Sequence, residues 1–375
     1  MKRIVIIGGG FAGVSALSGL RSHQKRLGLE VTLINDKQRV SFLPMLPDCL
    51  GRNVSPENLL LDLAVLSAKM DFNFIQDRVS AVDLLKKQVT ASALTLGYDF
   101  LLISSGTETN FYDNNEIRER SFKLDDASDA LLVRRALEGK SYASYLIAGA
   151  GYTGIEVATN LRVFLKKRKI DKQIMIIERA PSILGPLPQW MKDYVADNLK
   201  RLNIEVLLNS SIERVEENRI RLSGGEVFEN SMLIWAAGVR TADFIRDLKV
   251  EKNPQGRINT DEYLRVNASC FAAGDTAYYS DKNNFLRMAV QFAIMEGAYA
   301  AKNIIRILEG KRLAKFKPLD FGYIIPMANN RACGIILGIN MKGFLPLLLH
   351  YFMCIYRSYG LKNKLGIIKD LIKTC

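Results

Sequence analysis

Histidine is nearly missing: His23 and His350 are the only two in 375 residues, so a histidine-built metal centre has too few ligands to form. Cysteine is scarce as well. Cys49, Cys270, Cys333, Cys354 and Cys375 are scattered, and no two form C-x-x-C, which excludes a sequence-local redox pair and a zinc knuckle. Acidic residues are outnumbered, 39 against 52 basic, for a formal charge of +13. Such a surface suits nucleic acid, anionic membrane or anionic ligands. No interleaving of aromatic and basic residues marks an RNA or DNA reader, so no nucleic-acid partner is expected. Long apolar runs are also lacking. The N-terminal one is cut short by Gly8, Gly9 and Gly10 and reads as a first strand rather than a signal peptide, which places the start of the chain in the cytosol or an equivalent compartment.

What is present is a motif that occurs twice. Ile4 to Gly13 reads IVIIGGGFAG and Leu146 to Glu156 reads LIAGAGYTGIE. In each, an apolar run ends in G-x-G-x-x-G and leads into a helical pattern, as a buried strand, a phosphate-binding turn and a helix start do. Gly8, Gly10 and Gly13 fill the first set, with Phe11 and Ala12 between; Gly149, Gly151 and Gly154 fill the second, with Tyr152 and Thr153. The first glycine permits the tight turn, the second lets backbone approach a pyrophosphate, and the third lets helix and strand pack closely. Two copies predict two dinucleotides in one protein, and hence electron transfer between them.

The second strand of each unit is expected to end at a ribose-binding carboxylate. After Glu30 to Ile34 come Asn35 and Asp36, of which Asp36 is the marginally better candidate. After Gln173 to Ile177 comes Glu178, which favours NADH over NADPH although Arg179 follows it. Two further buried strands end in small residues, Tyr98 to Gly106 (with Ser105 and Gly106) and Met232 to Val239 (with Ala237 and Gly238), letting a cofactor come close. Ahead of both, Phe42 to Arg52 is apolar and broken by proline (Pro44 among them), suiting a loop under a flat ring. Arg78 to Val89 is expected as strand with a turn at Leu84 to Lys87, Val79 in it counting among the cofactor-binding residues, and a charged helix is expected over Glu116 to Gly139. Glu156, one turn inside the second helix, reads either as a satisfied buried carboxylate or as a partner for a nicotinamide carboxamide.

Together with FLPML (Phe42 to Leu46), SSGTETNF (Ser104 to Phe111), WAAGVR (Trp235 to Arg240) and CFAAGDTA (Cys270 to Ala277), these motifs resemble the two-dinucleotide flavoproteins, and most closely the type II NADH dehydrogenases, over roughly residues 1 to 310. The resemblance implies non-covalent FAD at the first fingerprint, with Gly274 and Asp275 on its ribityl and pyrophosphate part, and NADH at the second. It also implies that AVQFAIMEG (Ala289 to Gly297) starts by the flavin ring and the quinone pocket, with Gln291, Ala293 and Met295 on the quinone side. Met295 stands where the family has a second glutamine, and Asn160 where its A-x-E-L helix has a glutamate. Glu156 and Gln291 are the residues expected to serve catalysis. The absence of C-x-x-C and of a C-terminal His-Glu pair argues against the disulfide reductase relatives.

The expected fold is α/β, with two Rossmann-like domains: FAD on residues 1–112 and 265–317, NADH on residues 113–264, and a membrane-associating or dimerising segment over 318–375. In that segment Gly343 to Tyr356 is strongly apolar but too short to span about 30 Å of hydrocarbon, and it carries Pro346. Leu361 to Lys373 places Leu365, Ile368, Leu371 and Ile372 at helical spacing beside four lysines, which describes an interfacial helix for anionic lipid. The expectation is a peripheral enzyme on the cytoplasmic side of the inner membrane that passes electrons from NADH through FAD to a quinone without pumping protons. A homodimer, or a soluble protein whose tail docks on itself, would use the same apolar stripe. Two other readings stay open: a soluble NAD(P)H-dependent reductase of a small iron-sulfur or iron protein, and an NADH-binding flavoprotein with an interaction or sensing role.

Overall fold

The computed structural model describes residues 1–92, 94–281 and 284–373, so Cys375 lies outside the described residues. The chain divides into two compact units, each with its own core. Unit 1 holds Met1–Val40, Leu61–Glu108 and Val239–Asp320; unit 2 holds Ser41–Leu60, Thr109–Gly238 and Phe321–Cys375.

Unit 1 is built on a five-stranded parallel sheet ordered Cys270–Ala272, Phe100–Ile103, Lys2–Ile7, Leu29–Asn35, Asn73–Gln76. Lys2–Ile7 pairs in parallel with Leu29–Asn35 on one side and with Phe100–Ile103 on the other, so the strand order reverses beside its carboxyl end. That reversal opens a crevice where ligands bind in such sheets. Ile4, Ile6, Leu33 and Leu102 face one layer of the core, which helices Phe11–Arg21 and Val290–Leu308 cover. The two helices touch backbone to side chain: a methyl on Gly297 would fall 2.0 Å from the Ala12 carbonyl oxygen, and the Ser15 hydroxyl donates to the Ile294 carbonyl at 2.7 Å.

Unit 2 repeats the plan with a four-stranded parallel sheet ordered Ile204–Leu207, Gln173–Ile177, Ser144–Ala148, Ser231–Trp235. Helix Tyr152–Lys167 lies on it, burying Ile155, Ala158, Leu161 and Phe164. A three-stranded antiparallel sheet (Gly322–Met327, Arg331–Ile336, Ile339–Gly343) precedes helices Phe344–Arg357 and Gly360–Ile372. Pro346 does not break the first of these because it sits in the opening turn, whose N–H groups have no helical partner.

The division differs from the expected domain boundaries most over three stretches, each for a packing reason. Residues 41–60 go with unit 2 because Gly51, in helix Asp48–Gly51, lies so close to Asn160 that a methyl there would fall 2.4 Å from the Asn160 carbonyl. Residues 239–264 go with unit 1 because Phe244, Ile245, Leu248 and Ile258 complete the core around Val5, Ile7 and Leu101. Residues 321–375 are not a separate tail: Ile325, Met327 and Cys333 enter the same core as Ile155 and Leu161. The charged stretch expected as one helix over Glu116 to Gly139 is two, Asn115–Arg120 and Ala127–Gly139, the second capped by the Asp126 side chain on the Asp129 N–H.

Candidate functional sites

Both glycine turns have the geometry that a dinucleotide needs. In unit 1, Gly8 has φ +98°, and a methyl on it would fall 2.3 Å from the Ser104 carbonyl oxygen; a methyl on Gly13 would fall 2.0 Å from the Gly8 carbonyl oxygen. In unit 2, Gly149 has φ +100° and would meet Ala236 at 2.6 Å, and Gly154 would meet Gly149 at 1.9 Å. These four glycines are fixed by what they touch. Gly10 and Gly151 are different: nothing lies within 4 Å of a methyl on either, so the turn is open on the side where phosphate oxygens approach. Helices Phe11–Arg21 and Tyr152–Lys167 start there without a side-chain cap, leaving N–H groups to an anion.

The correspondence extends to the second strand. The Gly9 N–H donates to Asn35 Oδ1 at 2.9 Å, and the equivalent Ala150 N–H donates to Glu178 Oε2 at 2.7 Å. Asn35, whose Nδ2 also donates to the Lys37 carbonyl at 2.7 Å, therefore stands where Glu178 stands, while Asp36 is exposed. Glu178 Oε1 accepts a second bond from the Ala180 N–H at 2.8 Å, so this carboxylate is held at both oxygens.

Around the first turn, the Ser104 hydroxyl donates to the carbonyls of Ile7 and Gly8, and the Thr276 hydroxyl donates to that of Gly106 at 3.1 Å and lies 3.2 Å from the Ser105 hydroxyl. Gly274 (φ +74°) closes on Ala12 and Ala293, whose Cβ atoms would be 3.3 and 3.5 Å from a methyl there. Asp275 follows, half-buried; burial pushes its carboxyl up and the Arg257 guanidinium opposes this. Val79 is buried in the strand Val79–Asp83. Gln291 is buried and donates to Asp320 Oδ1 at 3.0 Å. Met295 packs against the cluster of Leu264, Tyr279 and Phe316.

Around the second turn, Tyr152 is half-buried, edge-on to Tyr323, and Thr153 is exposed. The Ala237 carbonyl accepts the Tyr112 hydroxyl at 2.8 Å, and Gly238 (φ +117°) lies under that same hydroxyl. Pro44, in the short 3-10 turn Leu43–Met45, belongs to unit 2.

Glu156 is part of a polar cluster that the sequence did not announce. Burial, and after it the charge of Asp48, raises its carboxyl well above the usual range. Asp48 is itself pushed up to about 6 by burial, against Arg52, Tyr351 and Asn160. The Tyr351 hydroxyl donates to Asp48 Oδ1 at 2.9 Å, and Arg52 Nε lies 3.7 Å from the same oxygen. His350, lowered to about 4 by burial and by Arg52, has Nε2 3.5 Å from Cys354 Sγ. Asn160 Nδ2 donates to the Glu156 carbonyl at 3.0 Å. The missed signal was a lone carboxylate, Asp48, inside the apolar stretch from Phe42 to Leu50. Glu296, the single acid in AVQFAIMEG, was missed in the same way. Among the described residues no three His, Cys, Asp or Glu side chains could hold a metal, and Cys49, Cys270, Cys333 and Cys354 are buried free thiols.

Comparison with known proteins agrees with this geometry. The type II NADH:quinone oxidoreductases of Staphylococcus saprophyticus and Staphylococcus aureus are each 24% identical to this chain over 368 residues, spanning 91% of both partners. The structure of NDH2 from Plasmodium falciparum in complex with NADH superposes with a TM-score of 0.87 at 20% identity, over 100% of this chain and 98% of that one. The sulfide:quinone oxidoreductase of Aquifex aeolicus follows at 0.82 and 19%, over 98% and 92%. The family model of the pyridine nucleotide-disulphide oxidoreductases matches residues 2–297 of the 375, and the chain belongs to that family.

Proposed function

We propose that this chain is a type II NADH:quinone oxidoreductase, carrying FAD in unit 1 and taking NADH in unit 2. The observation that supports it most is the repeated turn: two open glycine cradles, each at the crevice of a parallel sheet and each with a strand-end polar side chain on the same N–H. Bound FAD supplies a two-electron relay from NADH to quinone.

The chain's own contribution is binding and positioning. Gly8, Gly10 and Gly13, with Phe11, Ala12, Ser105, Gly106, Gly274 and Asp275, cradle FAD; Asn35 rather than Asp36 meets its adenosine ribose. Gly149, Gly151, Tyr152, Thr153 and Gly154, with Ala237 and Gly238, take NADH, and Glu178 accepts from its ribose hydroxyls and repels a 2′-phosphate. Glu156, whose carboxyl is raised by burial and by the charge of Asp48, orients the nicotinamide carboxamide. Gln291, Ala293 and Met295 serve the quinone side.

The C-terminal helices bring the enzyme to lipid. Helix Phe344–Arg357 leaves Phe344, Leu345, Leu348, Phe352 and Tyr356 exposed, and helix Gly360–Ile372 leaves Leu361, Leu365 and Ile372 exposed beside Lys362, Lys364 and Lys369. An apolar face with a basic rim favours an anionic bilayer surface, at about 1 kcal/mol per basic residue beyond the apolar term. No helix of the described residues is long and apolar enough to cross a membrane.

Anaerobic stopped-flow mixing tests the reading. Fast flavin bleaching by NADH, slow bleaching by NADPH and fast reoxidation by a short-chain quinone are expected. Fast bleaching with sluggish quinone reoxidation would overturn the acceptor and direct attention to small iron proteins, and no bleaching would overturn the second site.

A further inference from the structure

Arg257 is one of the few arginines withdrawn from water, at 5% exposure, and nothing in the glycine motif calls for it. Its guanidinium is spent on backbone. Nε donates to the Asp275 carbonyl at 3.0 Å, Nη2 to the Ala277 carbonyl and Nη1 to the Leu286 carbonyl at 3.5 Å. It also lies 5.7 Å from the centre of the Tyr278 ring. One side chain thus grips the 3-10 turn Gly274–Thr276 at both ends of Thr276. The opposite side of the turn is held by Glu296, whose Oε2 accepts the Gly274 N–H at 2.5 Å. The groups facing this cluster are few. Asp275 on the turn, Glu296 on helix Val290–Leu308 and Tyr278 beyond the turn surround Arg257, and helix Phe11–Arg21 meets it with Ala12, which carries no charge. Among the described residues no hydrogen bond to the Asp275 carboxylate is made, so its oxygens are open to a ligand while its carbonyl is held by Arg257.

We propose that Arg257 is a positioning residue for FAD, shaping the turn that presents Asp275 to the cofactor and placing one buried positive charge between Asp275 and Glu296. This rests on the reading of unit 1 as the FAD site. The planar fork matters because three carbonyls in different directions are satisfied at once, which a lysine ammonium on a flexible stem does less well. The charge matters because Asp275, and Glu296 once pH passes its pKa, would otherwise leave the cradle negative behind a cofactor that carries its own negative pyrophosphate. Burial raises Glu296 to about 8 even though the Gly274 N–H and Arg257 both pull it down.

The test is reconstitution of apoprotein with FAD, followed by flavin fluorescence, with the midpoint potential of the bound flavin measured in parallel. Arg257→Met should weaken FAD binding about 10- to 100-fold and make the bound flavin harder to reduce. Arg257→Lys, which keeps the charge, should recover most of the potential and part of the affinity. Measured above the Glu296 pKa, adding Glu296→Gln, which keeps an acceptor for the Gly274 N–H, should restore affinity to either variant, a rescue that a purely structural role would not give. If Arg257→Met does not fold, Arg257→Lys with and without Glu296→Gln carries the same comparison. An Arg257→Met protein that binds FAD within threefold of the parent overturns the proposal, as does Arg257→Lys losing as much as Arg257→Met with no rescue by Glu296→Gln. Parent apoprotein that fails to take up FAD at all overturns instead the reading of unit 1 on which it stands.

Discussion

Replacing Glu178 by Gln should relax the choice between NADH and NADPH, and the size of the effect follows from how the carboxylate is held. Both oxygens are fixed by backbone N–H groups, at 2.7 Å from Ala150 and 2.8 Å from Ala180, so the charge cannot swing away from an incoming 2′-phosphate. At about 5 Å, one unit charge against another costs roughly 1 kcal/mol in water and about 3 kcal/mol at an effective dielectric of 20. Glu178 is half-buried and lies between those limits, and a phosphate carries more than one charge. Removing the carboxylate should therefore cut the kcat/KM preference for NADH over NADPH by roughly 10- to 100-fold. Part of this comes as weaker NADH binding, because the ribose hydroxyls lose a charged acceptor. The fold should tolerate the change. Asn35 already performs it in unit 1, with Oδ1 on the Gly9 N–H and Nδ2 turned to a carbonyl. Steady-state kinetics with both nucleotides, alongside a melting curve, decide it. An unchanged preference in a normally folded variant would refute the assignment of Glu178.

Three other outcomes are expected. Gly154→Ala puts a methyl 1.9 Å from the Gly149 carbonyl and should abolish NADH bleaching while FAD stays bound, which absorbance after gel filtration reads directly; bleaching at the parent rate would refute it. Glu296 has a pKa raised from 4.5 to about 8, so the folded apoprotein binds its proton more tightly than the unfolded chain, and the stability it confers is lost as pH rises from about 4.5 through 8. Denaturant unfolding of Glu296→Gln should thus gain on the parent across that window, by up to about 4 kcal/mol at roughly 1.4 kcal/mol per pH unit; a gap independent of pH would sink the argument. In the C-terminal helices, Phe352→Glu removes about 2 kcal/mol of apolar burial and adds a charge at a bilayer surface, so partition onto anionic vesicles should fall at least about tenfold with flavin bleaching unaffected. Unchanged vesicle binding together with loss of a dimer in sedimentation would assign the face to a second copy.

Much of the fold was legible because it is local. The strand-turn-helix units depend on contiguous residues: an apolar run, glycines at fixed offsets and small residues after them. Strand Gln173–Ile177 stands as the pattern marks it, and helix Tyr152–Lys167 follows the second glycine turn. What was not legible depends on contacts between segments distant in sequence. Gly51 against Asn160, Tyr351 on Asp48 and Arg257 behind Asp275 join segments 18 to 303 residues apart, and no spacing rule connects them. Asn35 illustrates the difference most sharply. A carboxylate was expected at the end of the strand, and the neighbouring aspartate was preferred for its charge. The side-chain alternation of the strand sends Asn35 toward the Gly9 N–H and leaves Asp36 in solvent, so register outranks residue type there.

The unequal polar groups at the two strand ends fit the unequal lives of the two ligands. A cofactor that stays needs grip from many directions, and unit 1 supplies it: the Gly274–Thr276 turn, drawn from the far end of the sequence, is tied to Ser105, Gly106, Arg257 and Glu296 and closes on Ala12. With that grip in place a neutral amide at the strand end suffices. A substrate that enters and leaves cannot be wrapped in this way, and its discrimination must come from few contacts. Unit 2 has no counterpart of the Asp275 turn among the described residues; opposite its cradle lies the short run Ala236–Gly238 under the Tyr112 hydroxyl. A fixed carboxylate is the residue type that gives most selectivity for least burial, since it accepts from a diol and repels a phosphate at the same place. Exchanging the two groups should therefore be asymmetric: Asn35→Glu changes FAD retention little, because other contacts dominate, whereas Glu178→Asn costs both affinity and selectivity for NADH.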